Sequence, residues 1–290
     1  MPEPHDSSPP AVLITGTSTG IGAACALELD GRGWRVFAGV RKEADTQRLR
    51  SRASERLIPV MLDVTDQATV RAAAETIGRA VGPSGLAGLV NNAGIVVPGP
   101  LELIPVGRLR RQLEVNVLGH LSVTQAVLPL LRAAPGRIVN VGSIAGRIAP
   151  PYMGAYAASK HALEAITDVW RVELRKWGIH VAIVEPDSVA TPIWDKFQTD
   201  ADELAREVPP AVRRFYDDDL VQMRKAASRM DKAGMPVEKV VRAVCHALTA
   251  RRPKTRYPLG WRTRLGFPTL GSIPARLRDW IVLRMMGIRS

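Results

Sequence analysis

The sequence predicts an α/β fold, a doubly wound parallel sheet with helices on both faces in a single domain, and three observations predict it. Short apolar runs alternate with amphipathic stretches from residue 11 to about residue 260. The runs lack polar alternation, so both faces of each are buried, as in a parallel sheet covered on both sides. A glycine-rich turn joins the first run to the first amphipathic stretch, where a βαβ unit bends most tightly.

The elements follow in order. Ala11–Thr15 is a buried strand ending at Gly16, and Gly20 to Gly31 carries apolar residues at helical spacing. Trp34–Val40 and Leu57–Leu62 are strands. Thr65 and Asp66 offer an N-cap to a helix over 67–81. Leu86–Val90 is a strand, 106–132 one long helix, Arg137–Val141 a strand, 153–177 a helix and Ile179–Val184 a strand. Past Pro186 the rhythm changes. Residues 187–235 hold charged helical pieces and no strand, and a helix over 237–250 and a short strand near 256–259 close the core. Residues 1–10, polar and proline-rich, read as a disordered tail. The domain spans 11–260, and 261–290 form a basic, apolar-rich extension.

The chain has 290 residues, 46% of them hydrophobic and 23% charged, which suits one large domain. No secretory signal and no run of about 18 apolar residues is found, so the expectation is a cytoplasmic protein. Cys25 and Cys245 have no Cys or His neighbour at ligand spacing, so they read as buried hydrophobes and no metal is expected. Net charge is +12, and nine of those charges belong to the last forty residues.

The glycine turn reads Thr15-Gly16-Thr17-Ser18-Thr19-Gly20-Ile21-Gly22. Glycines let backbone approach a pyrophosphate, and the following helix N-terminus presents free N–H groups to an anion. The end of the second strand in this architecture faces an adenosine ribose. Here it reads Val40-Arg41-Lys42, with no acid to repel a 2′-phosphate and a guanidinium to bind one. NADP(H) is therefore favoured over NAD(H), although Glu43 and Asp45 lie close by. Farther along, Tyr156 and Lys160 are four apart on one helix face. An ammonium beside a phenol favours the phenolate and suits it to proton transfer at a carbonyl or alcohol oxygen. Ser143 lies just past the strand Arg137–Val141, at the carboxyl edge where site residues gather.

These motifs, T-G-x-x-x-G-x-G, Asp63-Val64, Asn91-Asn92-Ala93-Gly94, Ser143 and Tyr156-x-x-x-Lys160, resemble the short-chain dehydrogenase/reductase family, a Rossmann-type fold. The resemblance implies catalytic roles for Asn116, Ser143, Tyr156 and Lys160. Ser143 would bind the substrate oxygen, Lys160 the nicotinamide ribose, and Asn116 a water connecting the lysine to solvent. It also implies that Asp63 and Val64 contact adenine and that Asn92, Ala93 and Gly94 pack beside the adenosine ribose. Gly16, Thr17, Ser18, Gly20, Ile21 and Gly22 would cradle the pyrophosphate. In Pro186-Asp187-Ser188-Val189-Ala190-Thr191 the family's glycine is replaced by Asp187, whose carboxylate either bonds its own turn or faces the substrate. Pro186, Val189 and Thr191 would still flank the nicotinamide.

Residues 187–235, with Ile193, Trp194, Phe197, Phe215 and Tyr216, read as a substrate lid. Pro253-Lys254-Thr255-Arg256-Tyr257 resembles the retinol and hydroxysteroid dehydrogenase branch. The expected activity is hydride transfer between NADP(H) and a lipophilic carbonyl or secondary alcohol. Alternatives are a non-catalytic NADP(H)-binding regulator and a nucleotide-sugar epimerase or dehydratase. The family dimerises through its two long helices, so a homodimer or homotetramer is expected, with no nucleic-acid partner. The extension around 274–288 fits either peripheral contact with a membrane surface or packing over the pocket or another subunit.

Overall fold

The computed structural model describes residues 9–260 and 273–286. Residues 1–8 of the expected tail and 261–272 and 287–290 of the expected extension lie outside the described residues.

Seven parallel strands form one sheet in the order β3-β2-β1-β4-β5-β6-β7. They are β1 (Ala11–Ile14), β2 (Arg35–Val40), β3 (Leu57–Met61), β4 (Gly88–Asn91), β5 (Arg137–Val141), β6 (His180–Pro186) and β7 (Arg256–Leu259). The order reverses between β1, which pairs with β2, and β4, the next strand across. That reversal opens a crevice at the carboxyl edge of the sheet, where ligands of such folds bind.

One face of the sheet is covered by α1 (Gly20–Gly31), α2 (Glu43–Arg50) and α10 (Val237–Thr249). Leu29, Leu49, Val244 and the free thiols Cys25 and Cys245 pack there against Val12, Val36 and Val139. The other face is covered by α3 (Gln67–Val81), α5 (Gly119–Ala133) and α6 (Gly154–Glu173), with Ile77, Val127, Leu131 and Trp170 against Leu13, Phe37 and Ile138. Strands β1 to β6 thus have apolar side chains on both faces, which is the physical reason their sequences show no alternation. Asp66 caps α3, accepting from the Ala68 N–H at 2.8 Å.

Two features depart from the sequence expectation. The helix α2 was not anticipated; its eight residues are mostly polar, and only Asp45, Thr46 and Leu49 are buried, too little for an apolar period. The stretch expected as one helix over 106–132 is broken into α4 (Val106–Leu113), a π-helical turn (Glu114–Leu118) and α5. The 187–235 region forms α7 (Ile193–Glu207), a short α8 (Pro210–Arg213) and α9 (Asp217–Lys232), with a single parallel bridge from Val189 to Met235 tying its ends together. After β7, the helix α11 (Ala275–Met286) belongs to the basic extension.

Candidate active site

At the crevice the strand ends are laced together. The Thr15 hydroxyl accepts from the Asn92 N–H at 2.9 Å and the Ala93 N–H at 3.0 Å, while the Asn92 amide donates to the carbonyls of Thr15 and Gly16. Glycine is required twice here. A Cβ on Gly16, whose φ is +68°, would stand 2.8 Å from Ala93 Cα, and one on Gly22 would stand 2.3 Å from the Gly16 carbonyl oxygen. The N-cap residue Thr19 makes no side-chain bond to the first turn of α1, and no acid lies in that turn. Its N–H groups are left for an anion.

A cavity of about 1120 Å³ runs along this edge. Its wall at one end comprises Gly16, Ser18, Gly20 and Ile21, with Arg41, Asp63 and Val64 behind them, then Asn92, Ala93 and Gly94. In its middle stand Ser143, Tyr156, Lys160, Pro186, Val189 and Thr191. Four expected residues lie off the wall. Thr17 is fully buried, its hydroxyl bonded to the Gly39 carbonyl at 3.0 Å. Gly22 sits behind the loop in α1. Lys42 is exposed and is the N-cap residue of α2.

Asn116 is the fourth. It lies in the π-helical turn, fully buried. Its side-chain oxygen accepts from the Ile95 N–H at 2.9 Å, and its Nδ2 donates to the Ile95 carbonyl at 3.0 Å and to Ser159 Oγ at 3.1 Å. Ser159 in turn donates to the Tyr156 carbonyl at 2.7 Å. The side chain is therefore a brace between the 92–95 loop and the first turns of α6. Ser159 itself was missed, although it stands inside the Tyr156–Lys160 motif.

Lys160 Nζ donates to the Val141 carbonyl at 2.8 Å and lies 5.6 Å from the centre of the Tyr156 ring. Burial pushes its pKa down to about 8, against an opposing pull from Glu164 one turn on. Tyr156 differs from expectation. Burial holds its phenol above the ordinary value, with the Ser143 hydroxyl working the other way. Desolvation of the phenolate is the largest effect, and the lowering comes from Ser143 and not from Lys160. Ser143, the N-cap of a short turn at Ile144–Gly146, accepts from the Ala145 N–H at 3.1 Å. Asp63 is held below the usual carboxylate range: burial would raise it, but bonds from the Thr65 N–H and hydroxyl outweigh that, helped by Arg41 and Arg111.

Asp187 bonds its own turn, one of the two arrangements the sequence left open. Its Oδ1 accepts from the Ser188 N–H at 2.9 Å, and the residue also lines the cavity. Residues the sequence did not single out on this wall include Thr19, Ile95, Val96, Val141 and Gly142. Apolar strand ends and loop residues carry no chemical signature of their own.

The rest of the wall is mainly apolar, with Lys196 and Asp200 of α7 and Arg229 of α9 also lining it. Val96, Ile144, Met153, Trp194, Phe197 and Met230 line it. The segment expected as a lid contains α7 and α9, with Phe197, Ala201, Leu220 and Met223 in one cluster. Trp194 is fixed by its ring N–H to the Val189 carbonyl at 3.0 Å. Phe215 is 69% exposed and takes no part, while Tyr216 bonds Glu102. Val282 of α11 reaches the same cavity.

A dinucleotide cradle at one end, a serine–tyrosine–lysine group in the middle and a mainly apolar chamber beyond define a nicotinamide-dependent oxidoreductase. Comparison with known proteins agrees: the short chain dehydrogenase family model matches residues 10–202, and the chain belongs to that family. It is 40% identical to the 17-beta-hydroxysteroid dehydrogenase type 6 of Bos taurus over 94% of this chain and 87% of that one. It is 38% identical to retinol dehydrogenase 5 of Mus musculus, over 94% and 89%. It is 35% identical to the NADPH-dependent 3-dehydrocapnine reductase of Ornithobacterium rhinotracheale, over 93% and 94%. Among solved structures it resembles a short chain dehydrogenase from Burkholderia cenocepacia J2315 in complex with NADP, with a TM-score of 0.71, 28% identity and coverage of 94% and 98%. A short chain dehydrogenase/reductase from Burkholderia phymatum in complex with NAD gives 0.72, 27% identity and coverage of 86% and 89%. The chain is thus a dehydrogenase/reductase acting on alcohol and carbonyl groups, in a fold that binds a nicotinamide dinucleotide, and the regulator and epimerase alternatives fall away.

Proposed function

We propose that this protein exchanges hydride between NADP(H) and a lipophilic carbonyl or secondary alcohol, with Ser143, Tyr156 and Lys160 as its catalytic residues. One observation carries the reading. These three side chains share a single cavity with the glycine cradle and Arg41 at one end and a mainly apolar chamber at the other.

The cradle residues fit the cofactor. Gly16, Ser18, Gly20 and Ile21 receive the pyrophosphate at the N-terminus of α1, and Asp63 and Val64 receive the adenine. Asn92, Ala93 and Gly94 flank the adenosine ribose, and Arg41 the 2′-phosphate. Lys160 holds the nicotinamide ribose, while Pro186, Val189 and Thr191 flank the ring. Bound nicotinamide supplies or accepts the hydride. The protein does the rest. Ser143 Oγ donates to the substrate oxygen and fixes its position. The Tyr156 hydroxyl gives that oxygen a proton in reduction, or takes one from it in oxidation. Its raised pKa keeps it protonated at neutral pH, which favours reduction there; oxidation is expected to gain rate as pH rises. Trp194, Phe197 and Met153 exclude water and accept the apolar body of the substrate.

The relatives support this reading: one is a named NADPH-dependent reductase, another a named hydroxysteroid dehydrogenase. Exposed Leu118, Val169 and Val172 on the two long helical stretches support a homodimer or homotetramer. Exposed Leu277 and Trp280 on α11, with Arg284 over the Trp280 ring, support contact with a membrane surface. The test is a panel of steroids, retinoids and aliphatic ketones read by NADPH absorbance. Turnover of the large apolar members is expected, and turnover of small polar ketones alone would contradict the reading. Arg41→Asp is expected to weaken NADPH binding at least tenfold and leave NADH binding nearly unchanged; unaltered NADPH affinity would refute the 2′-phosphate assignment.

A further inference from the structure

Behind Lys160, on the side away from the cavity, lies a buried group of charges that the proposed chemistry does not use. Tyr156, Lys160 and Glu164 succeed one another at intervals of four on α6, so they stack along one face of the helix. The Glu164 side chain is 9% exposed. Its Oε2 is taken by Arg256 of β7, and Arg147, just past the Ser143 turn, stands 3.6 Å away. Its Oε1 is buried and has no hydrogen-bond partner among the described residues.

Charged and titratable groups face it from several elements. On α6 itself these are Lys160 and Asp168. From β6 comes Glu185, which accepts from Arg147 at 2.7 Å and from Arg256 at 3.2 Å. From β7 comes Arg256, also bonded to Asp168 at 2.6 Å. From α5, His120 faces Lys160 but is neutral: its Nε2 bonds the Ala93 carbonyl, and burial pushes its pKa down to about 3. Asp168 is shared between Arg256 and Arg171, and Glu185 is shared between Arg147 and Arg256. Glu164 stands one helical turn from Lys160 with half of its carboxylate uncommitted, and among the described residues the Lys160 ammonium makes one hydrogen bond, to Val141.

We propose that Glu164 is a positioning residue for catalysis, the buried counter-ion that keeps Lys160 charged and seated behind Tyr156. The inference rests on the role given above to Lys160. An ammonium taken out of water tends to lose its proton, and an opposite charge one helical turn away resists that loss. Glu164 is the group that raises Lys160 against the effect of burial. Burial and Glu185 push Glu164 itself upward, with Arg256 and Arg147 opposing. The consequence is legible in a pH profile. With Tyr156 held above its ordinary value, the alkaline limb of carbonyl reduction belongs to Lys160, near its pKa of about 8.

The test is kcat/KM for carbonyl reduction against pH, at saturating NADPH, in the wild type and four variants. Glu164→Gln keeps the shape and the bond to Arg256 but removes the charge; its alkaline limb is expected to move down by about one pH unit. Glu185→Gln removes an equally buried carboxylate from the same arginines, and its limb is expected to stay in place. Glu164→Asp keeps the charge and is expected to retain the wild-type limb; it also provides the reading should the glutamine variant not fold. An unmoved limb in Glu164→Gln overturns the proposal, as does an equal shift in Glu185→Gln or a full shift in Glu164→Asp. Lys160→Met separates the two claims. Retained turnover there refutes the role of Lys160, whereas lost turnover with an unmoved Glu164→Gln limb refutes that of Glu164 alone.

Discussion

Lys160 is expensive to keep. Its pKa falls from 10.5 to about 8 in the folded chain, so the charged form costs the fold roughly 3 kcal/mol below pH 8, at about 1.4 kcal/mol per unit. The sign follows from the lowered value: folding favours the neutral amine, so this stability is present above the unfolded pKa and lost as pH falls through 10.5 to 8. Methionine in its place keeps the apolar stem without the ammonium. Lys160→Met is therefore expected to unfold at a higher temperature than the wild type at pH 7 while losing turnover. A lower melting temperature would mean that the bond to Val141 outweighs the desolvation. Site residues tend to trade stability for function in this way, and the trade explains how the Tyr156–Lys160 pair could be read from sequence. A lysine and a tyrosine four apart signify little alone, but a lysine in a stretch as apolar as Ala155 to Leu163 is a buried charge that requires a reason.

At the scale of elements, the π-helical turn at Glu114–Leu118 decides where Asn116 points. A π turn inserts one residue into a helix and rotates the residues beyond it, and here it turns Asn116 inward to brace the 92–95 loop against α6. Spacing could not show this, because the apolar period on either side is helical and the break shifts it by only one residue. Asn116→Ala leaves the Ile95 N–H without its partner, while the Ile95 carbonyl keeps Gln112 and Ser159 keeps the Tyr156 carbonyl, a loss of about 1–3 kcal/mol. Thermal melting is expected to fall accordingly, and activity is expected to fall further as the start of α6 loosens; an unchanged melting temperature would contradict the brace. The strands, by contrast, were legible to within a residue or two, since a strand buried on both faces declares itself by an unbroken apolar run. The polar helix α2, packed by one leucine, gave no such signal.

For the whole molecule, order of motifs was more informative than any motif. The glycine loop, the Asn91–Gly94 segment, Ser143 and Tyr156 each follow a strand that ends at the same edge, so a parallel sheet brings together residues up to 140 positions apart. The apolar chamber was less legible, because its lining comes from helices of the 187–235 segment whose pairing the sequence does not encode locally. The fold also sets the acid stability of the molecule. His120 falls from 6.5 to about 3, so its contribution is intact above pH 6.5 and is lost as pH drops toward 3. Glu164, raised by burial, works in the opposite sense, adding stability as pH falls toward its unfolded value of 4.5. Unfolding free energy is expected to change little between pH 7 and 4.5 and to drop below that, and His120→Leu is expected to flatten the drop. Chemical denaturation across that range checks it; an equally steep loss in the variant would contradict the assignment.

The central claim is that the Tyr156 hydroxyl moves the proton. Tyr156→Phe removes that one oxygen and leaves the ring in the cavity wall. Rate and cofactor affinity should be measured together on this variant, by NADPH absorbance and by fluorescence titration. The expected result is turnover reduced at least a thousandfold with NADPH bound as tightly as in the wild type. Turnover within tenfold of the wild type would contradict the account.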